Sequence, residues 1–346
     1  MVLAASSNAV RLTLRPAVRG ELRKLVLINL AGLLFCSTLG VIVTSSSGTG
    51  TQVSKALLDI FKGKTPEAPL INYSPRDIFK TVLNSRLFLT ILLPIFSGLV
   101  TAVLLKEWTE EILSYLEQSL SVFIKIMSGI LFLAPFFIFC IIASYVARLE
   151  TGDIVSLGSF LVLTVVELCL ITFIAMVVTA SVSKRNIFGT LKSFEKPLVV
   201  ALSTSNSFAA MPLSIEALKT ELNFSEKLLR QLLPLETIIN QWGNALFFSA
   251  LTTYLVEILK IHIGWGHELG IVLASVFMSI AAPGIPALGL YTIMFIVLVP
   301  LGIPIKPASA IFITAMSAVD PFVTVANVAG VIGSVTMVLS GKKEKG

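Results

Sequence analysis

The chain has 346 residues, 55% hydrophobic and only 13% charged, with a net charge of +6 and a mean hydropathy of +0.92. Soluble domains run at roughly 45–50% apolar and about 25% charged, so 26 basic and 20 acidic residues bunched between apolar runs cannot cover a soluble surface of this size. The composition points to a membrane protein and sets aside a soluble enzyme. The basic excess has a topological explanation, because Lys and Arg gather on the cytoplasmic side of membrane proteins, so no nucleic-acid partner is expected.

A helix needs about 20 apolar residues to cross a hydrocarbon core. In chain order, Leu25–Thr44, Leu87–Leu105, Val122–Val146 and Ile154–Val182 meet that length. The polar stretch from Ser45 to Lys80 is a solvated connection between the first two. Cys36, Cys140 and Cys169 each lie inside an apolar run, where a thiol behaves as a small hydrophobe. His262 and His267 share one short loop with no accompanying cysteine or carboxylate cluster, so no metal centre is expected there. The first 20 residues lack the apolar core of a cleavable signal peptide.

The second half follows another grammar. Pro197–Leu218 is apolar at both ends but reads Ser203-Thr204-Ser205-Asn206-Ser207 in its middle, where a spanning helix should be driest. A re-entrant hairpin with its tip buried in protein accommodates that pattern. An apolar helix over 228–259 follows. Leu269–Val299 is too long for one span and too short for two, with Pro283-Gly284-Ile285-Pro286 at its centre, and forms a second hairpin. The last segment, 308–339, carries Asp320-Pro321 and Asn327. Hairpin then helix thus occurs twice, and paired broken segments point to a transporter with its site at the midplane. The expected fold is an all-α polytopic membrane protein with about six spanning helices and two re-entrant hairpins in an inverted repeat.

This layout gives a cytoplasmic segment at 1–24, four mostly scaffold-like spans over 25–182, a transport core over 183–340 and a cytoplasmic tail at 341–346. With both termini inside, inner segments hold 17 of the 26 Lys and Arg and outer segments 9, in line with multi-pass insertion in the cell (inner) membrane.

Ionisable residues inside spans are functional candidates by default. Glu167 lies alone in the fourth span, where a protonated glutamate facing a neighbouring helix is as good a reading as any role. Glu236 heads a run with Asn240, Gln241 and Asn244. Asp320 is followed by Thr324 and Asn327 at i+4 and i+7, on one helical face. That stripe suits a substrate ammonium. Pro321 adds a carbonyl, that of Ser317, which loses its usual donor. Backbone N–H groups at the two hairpin tips, Ser203–Ser207 and Gly284–Ile285, suit a carboxylate. Together they describe an amino acid. No Ser–His pair, His-Glu-x-x-His or intramembrane histidine supplies a catalytic base, so no enzyme is expected.

These residues resemble a family, the dicarboxylate/amino acid:cation symporters. Ser203–Ser207 with Met211-Pro212 is similar to their serine-rich first hairpin, and Leu233-Pro234-Leu235…Asn240-Gln241-Trp242-Gly243 to their Leu-Pro-Leu…Asn-Met-Asp-Gly helix. Ser279–Pro286 resembles their second tip, and Asp320…Thr324…Asn327-Val328 their last helix. The resemblance runs over about residues 20 to 340 and implies a homotrimer in the lipid bilayer whose hairpins and last helices move as one body. It implies a substrate site of Asp320, holding the amino group, with Asn206, Ser207, Gly284, Ile285, Val323, Thr324 and Asn327. Coupling falls to Glu236, Asn240, Gly243 and Asn327. No cofactor is expected, and no metal beyond a coupling Na+.

The departures shape the function. The family's first two helices are missing from the resemblance, as in a truncated or split member. Its aspartate in Asn-Met-Asp-Gly is Trp242 here, and its second aspartate on the last helix is Val331. Both belong to sodium sites, so those sites are not expected intact. Glu236 stands where the family has glycine and is expected to carry a coupling proton. In acidic amino acid carriers an arginine follows the last-helix aspartate by three residues, and that position is Val323. The expectation is a symporter for a neutral amino acid coupled to H+ or Na+, with proton coupling favoured by Glu236. The alternatives are a glutamate or dicarboxylate:sodium symporter, or a transport-incompetent binding or structural subunit.

Overall fold

The computed structural model describes residues 16–51, 150–283 and 305–340, with isolated positions between 136 and 147 and between 294 and 303. The spans expected at 87–105 and, apart from isolated positions, 122–146 lie outside the described residues. So do the second tip at Gly284 and Ile285 and the tail at 341–346. Every regular element among the described residues is an α-helix. In chain order these are α1 (Pro16–Ser47), α2 (Thr151–Ser183), α3 (Ile187–Ser193), α4 (Glu195–Thr204), α5 (Ser207–Leu222), α6 (Glu226–Ile239), α7 (Trp242–Ile258), α8 (Trp265–Ala281) and α9 (Ile305–Leu339).

Three of the described helices are long and apolar enough to cross a membrane: Gly20–Ser47 in α1, Thr151–Ser183 in α2 and Ala308–Leu339 in α9. They correspond to the expected first, fourth and last spans. Of these three, α9 is buried along most of its length, whereas α1 and α2 each keep an outward apolar face. On α2 that face carries Val162, Val166, Leu170, Phe173 and Val177. Its inward stripe, Phe160, Thr164, Leu168, Ile171, Ala175 and Thr179, follows helical spacing and packs along α9.

Helix association inside a bilayer gains little from expelling water and depends on close packing, which small residues permit. α1 packs most extensively against α7. A Cβ at Gly40 would lie 2.7 Å from the Leu246 carbonyl, so this glycine sets the closeness of the pair. Leu33, Cys36, Ser37, Val41 and Thr44 complete the buried stripe of α1. Around α7 and α9 the rings of Phe247, Phe248 and Phe312 cluster with centroids 5.7–6.4 Å apart. Phe160 stacks on Tyr254 at 4.4 Å.

The sequence reading placed one helix over 228–259. The structure has two, α6 and α7, parted at Asn240 and Gln241 (φ −82°, ψ 97° and φ −126°, ψ 46°). The polar side chains at the break make it tolerable, because they replace lost helix bonds away from water. Gln241 Nε2 donates to the Thr237 carbonyl at 2.9 Å, and Asn327 Oδ1 accepts from Gly243 N at 2.8 Å. The 197–218 segment is likewise two helices, α4 and α5, joined at Ser205 in the left-handed region (φ 48°) and at extended Asn206. Both pack on α9. Of the 269–299 segment, the structure describes the first arm as α8.

Candidate functional site

Polar atoms gather where the α6–α7 break meets the middle of α9. Asn327, 4% exposed, donates from Nδ2 to Gln241 Oε1 at 3.2 Å and accepts from Gly243 N. Asn244 Nδ2 donates to the same Gln241 oxygen at 2.6 Å. Gly243 is fixed by space: a Cβ there would run into the Val323 carbonyl and lie 3.0 Å from Val323 Cα. The start of α7 therefore lies directly on the α9 backbone.

One turn before Val323, Asp320 is half-buried. Its carboxylate has no hydrogen bond or ion pair among the described residues. Thr324 is buried and donates from Oγ1 to the Asp320 carbonyl at 2.9 Å. Asp320, Thr324 and Asn327 thus share a stripe, but Asn327 is already engaged in holding the broken helix. Val323 is 1% exposed and belongs to the buried hydrophobic cluster.

At the α4–α5 joint, Asn206 Oδ1 accepts from Phe208 N at 2.9 Å and from Ala209 N at 3.4 Å. It acts as the N-cap of α5, with Ser207 as the first helical residue. The first two N–H groups after the expected tip Ser203–Ser207, those of Phe208 and Ala209, are thereby used by the protein itself. Gly284 and Ile285 lie outside the described residues.

A second polar cluster joins three helices. Glu236 of α6, 1% exposed, accepts at Oε1 from Asn29 Nδ2 of α1 at 2.7 Å, from Asn240 Nδ2 at 3.5 Å and from Ser334 Oγ of α9. No Lys, Arg or His is buried among the described residues, so no cation offsets this carboxyl. Trp242 follows directly: its indole packs on Gly32 of α1 and Gly330 of α9, either of which would clash with it if a Cβ were present. Val331 is buried and apolar.

Of the residues expected to couple a cation, Glu236 and Asn240 therefore meet in one cluster, and Gly243 and Asn327 in the adjoining one. Sequence reasoning missed Asn29, Ser334 and Gln241 as their partners. The available signal was a lone Asn and a lone Ser in apolar runs, which a membrane interior tolerates only with a partner. Glu167 is 3% exposed, and neither of its carboxyl oxygens has a hydrogen-bond partner among the described residues.

The model of the Sodium:dicarboxylate symporter family matches residues 17–340. Among similar proteins, an excitatory amino acid transporter of Caenorhabditis elegans is 27% identical over 55% of this chain and 38% of its own length. Excitatory amino acid transporter 1 of Ambystoma tigrinum is 27% identical over 65% of this chain and 42% of its own length. Excitatory amino acid transporter 5 of Homo sapiens is 29% identical over 60% and 37%. The matches span about two fifths of these relatives. With a family match over nearly all its residues, the chain belongs to the Sodium:dicarboxylate symporter family.

Proposed function

We propose that this protein is a secondary active symporter that moves a neutral amino acid across a membrane together with a cation. The observation that carries the reading is Asp320: a half-buried carboxylate on α9, without a partner among the described residues, one turn from a buried hydroxyl. A carboxylate so placed is costly unless a cationic group meets it, and a substrate ammonium does so. Asn206, Ser207 and the second tip at Gly284 and Ile285 supply the remaining polar surface, with re-entrance of both hairpins as part of the proposal.

Neutrality follows from what surrounds the stripe. The residue three after Asp320 is Val323, and buried basic side chains are lacking among the described residues. A side-chain carboxylate on the substrate would have no countercharge there, which disfavours glutamate or aspartate. Coupling is assigned to Glu236. The positions that would bring carboxylates for sodium hold Trp242 and Val331, whereas Glu236 is a buried acid whose charge a single proton cancels. α1 and α2, expected to be scaffold-like, instead pack on α7 and α9, and in this reading they travel with the hairpins. The protein works as a homotrimer with both termini in the cytoplasm.

Equilibrium binding tests the substrate. Labelled neutral amino acids are expected to bind the purified protein with little competition from aspartate or glutamate. Tight competition by either overturns the neutral assignment and favours a dicarboxylate substrate.

A further inference from the structure

We infer that the junction of α1, α6 and α9 holds bound water, seated among Asn29, Glu236, Asn240 and Trp242, and that the Trp242 indole keeps a metal cation out of that place. Four polar atoms carry the inference. Glu236 Oε2, Asn29 Oδ1, Asn240 Oδ1 and Trp242 Nε1 are all buried, and none has a hydrogen-bond partner among the described residues. One such atom is a common defect, but four around a single carboxyl call for a shared partner.

Their proximity follows from the bonds already present. Asn29 Nδ2 and Asn240 Nδ2 both donate to Glu236 Oε1, so the orphaned amide oxygens belong to the two groups bonded to that carboxyl, and the orphaned Oε2 belongs to the carboxyl itself. The indole borders the same space. It packs on Gly32, three residues after Asn29, and side chains at that helical spacing are about 5–6 Å apart. From the α9 side, a Cβ at Gly330 would lie 2.9 Å from Trp242 Cε3 and 3.0 Å from Asn240 Cγ, so those two side chains adjoin.

The identity of the partner follows from its required valence. Three orphaned oxygens are acceptors and want a donor or a cation, while the indole nitrogen is a donor only and wants an acceptor. A metal cation would satisfy the oxygens but would face the positive end of the N–H dipole. An ammonium group can donate but not accept. Water does both, and buried water in proteins makes about three hydrogen bonds to such groups. The placement of water depends on neither the solute nor the coupling ion proposed above.

A structure of the purified full chain at a resolution that resolves waters, with and without Tl+ in place of Na+, tests this. Water density is expected within hydrogen-bond distance of Trp242 Nε1 and at least two of the three oxygens, unchanged by Tl+. An anomalous Tl+ peak at that position would overturn the inference, as would direct pairing of these atoms with no density between them. Either adverse result leaves amino acid transport standing, and failed transport leaves the water site standing.

Discussion

The amide oxygen of Asn327 accepts the backbone N–H of Gly243 at 2.8 Å, fastening the start of α7 to the middle of α9 where no Cβ fits between Gly243 and Val323. Bond and close approach depend on each other. Asn327→Leu leaves a buried N–H without an acceptor and is expected to cost about 1–3 kcal/mol. Gly243→Ala overpacks the same contact, for about 1–3 kcal/mol. Thermal unfolding of each variant in detergent should show a lowered midpoint, and the double variant should fall short of additivity because both changes part the same two helices.

Replacing Asp320 separates binding from folding. Its carboxylate has no hydrogen bond among the described residues, so Asp320→Asn is expected to leave the unfolding midpoint within a few degrees of wild type. A charge-assisted bond contributes roughly 1.5–3 kcal/mol, which makes the expected loss of substrate affinity about tenfold to a hundredfold or more. Calorimetric titration with a neutral amino acid reads both limits.

Glu236→Gln tests coupling without dismantling the cluster. Glutamine keeps an oxygen for Asn29 and Ser334 and removes the charge. The variant is expected to fold, to bind substrate and to exchange it across liposome membranes, but to lose uptake driven by a proton gradient. Full proton-driven accumulation by Glu236→Gln would remove Glu236 from the coupling role.

At the surface, Glu221 at the end of α5 accepts from Ser193 Oγ at 2.8 Å and from Arg185 Nη2 at 3.0 Å. Ser193 first and Arg185 second hold its carboxyl below the usual range. A depressed folded-state value means that the associated stability is present above the unfolded value, about 4.3, and is lost as pH falls through the lower folded one. The group is more than a third exposed, so the contribution is expected to stay below about 1 kcal/mol. Denaturant unfolding of Glu221→Gln should match wild type below that range and fall slightly short of it near neutrality.

Much of the fold was legible because apolar length and polar interruption are local properties. The spans in α1, α2 and α9, the joint at Ser205–Asn206 and the Asp320–Thr324–Asn327 stripe all follow from residues close together in the chain. The break at Asn240 was not legible, since it depends on Asn327, a distant residue, replacing the lost helix bonds. Nor was the Glu236 cluster: Asn29 is 207 positions away from it and Ser334 98. Asn206 shows a third limit, because the residue types that suit an anion site also suit a helix cap, and only geometry shows the cap being used.

The central claim, a neutral solute driven by a proton through Glu236, is tested most directly by uptake into liposomes reconstituted with the full chain. With an inward proton gradient and no sodium, a labelled neutral amino acid should accumulate above its external concentration, and a sodium gradient alone should give no accumulation. Sodium-driven accumulation of glutamate or aspartate, indifferent to the proton gradient, would contradict the proposal.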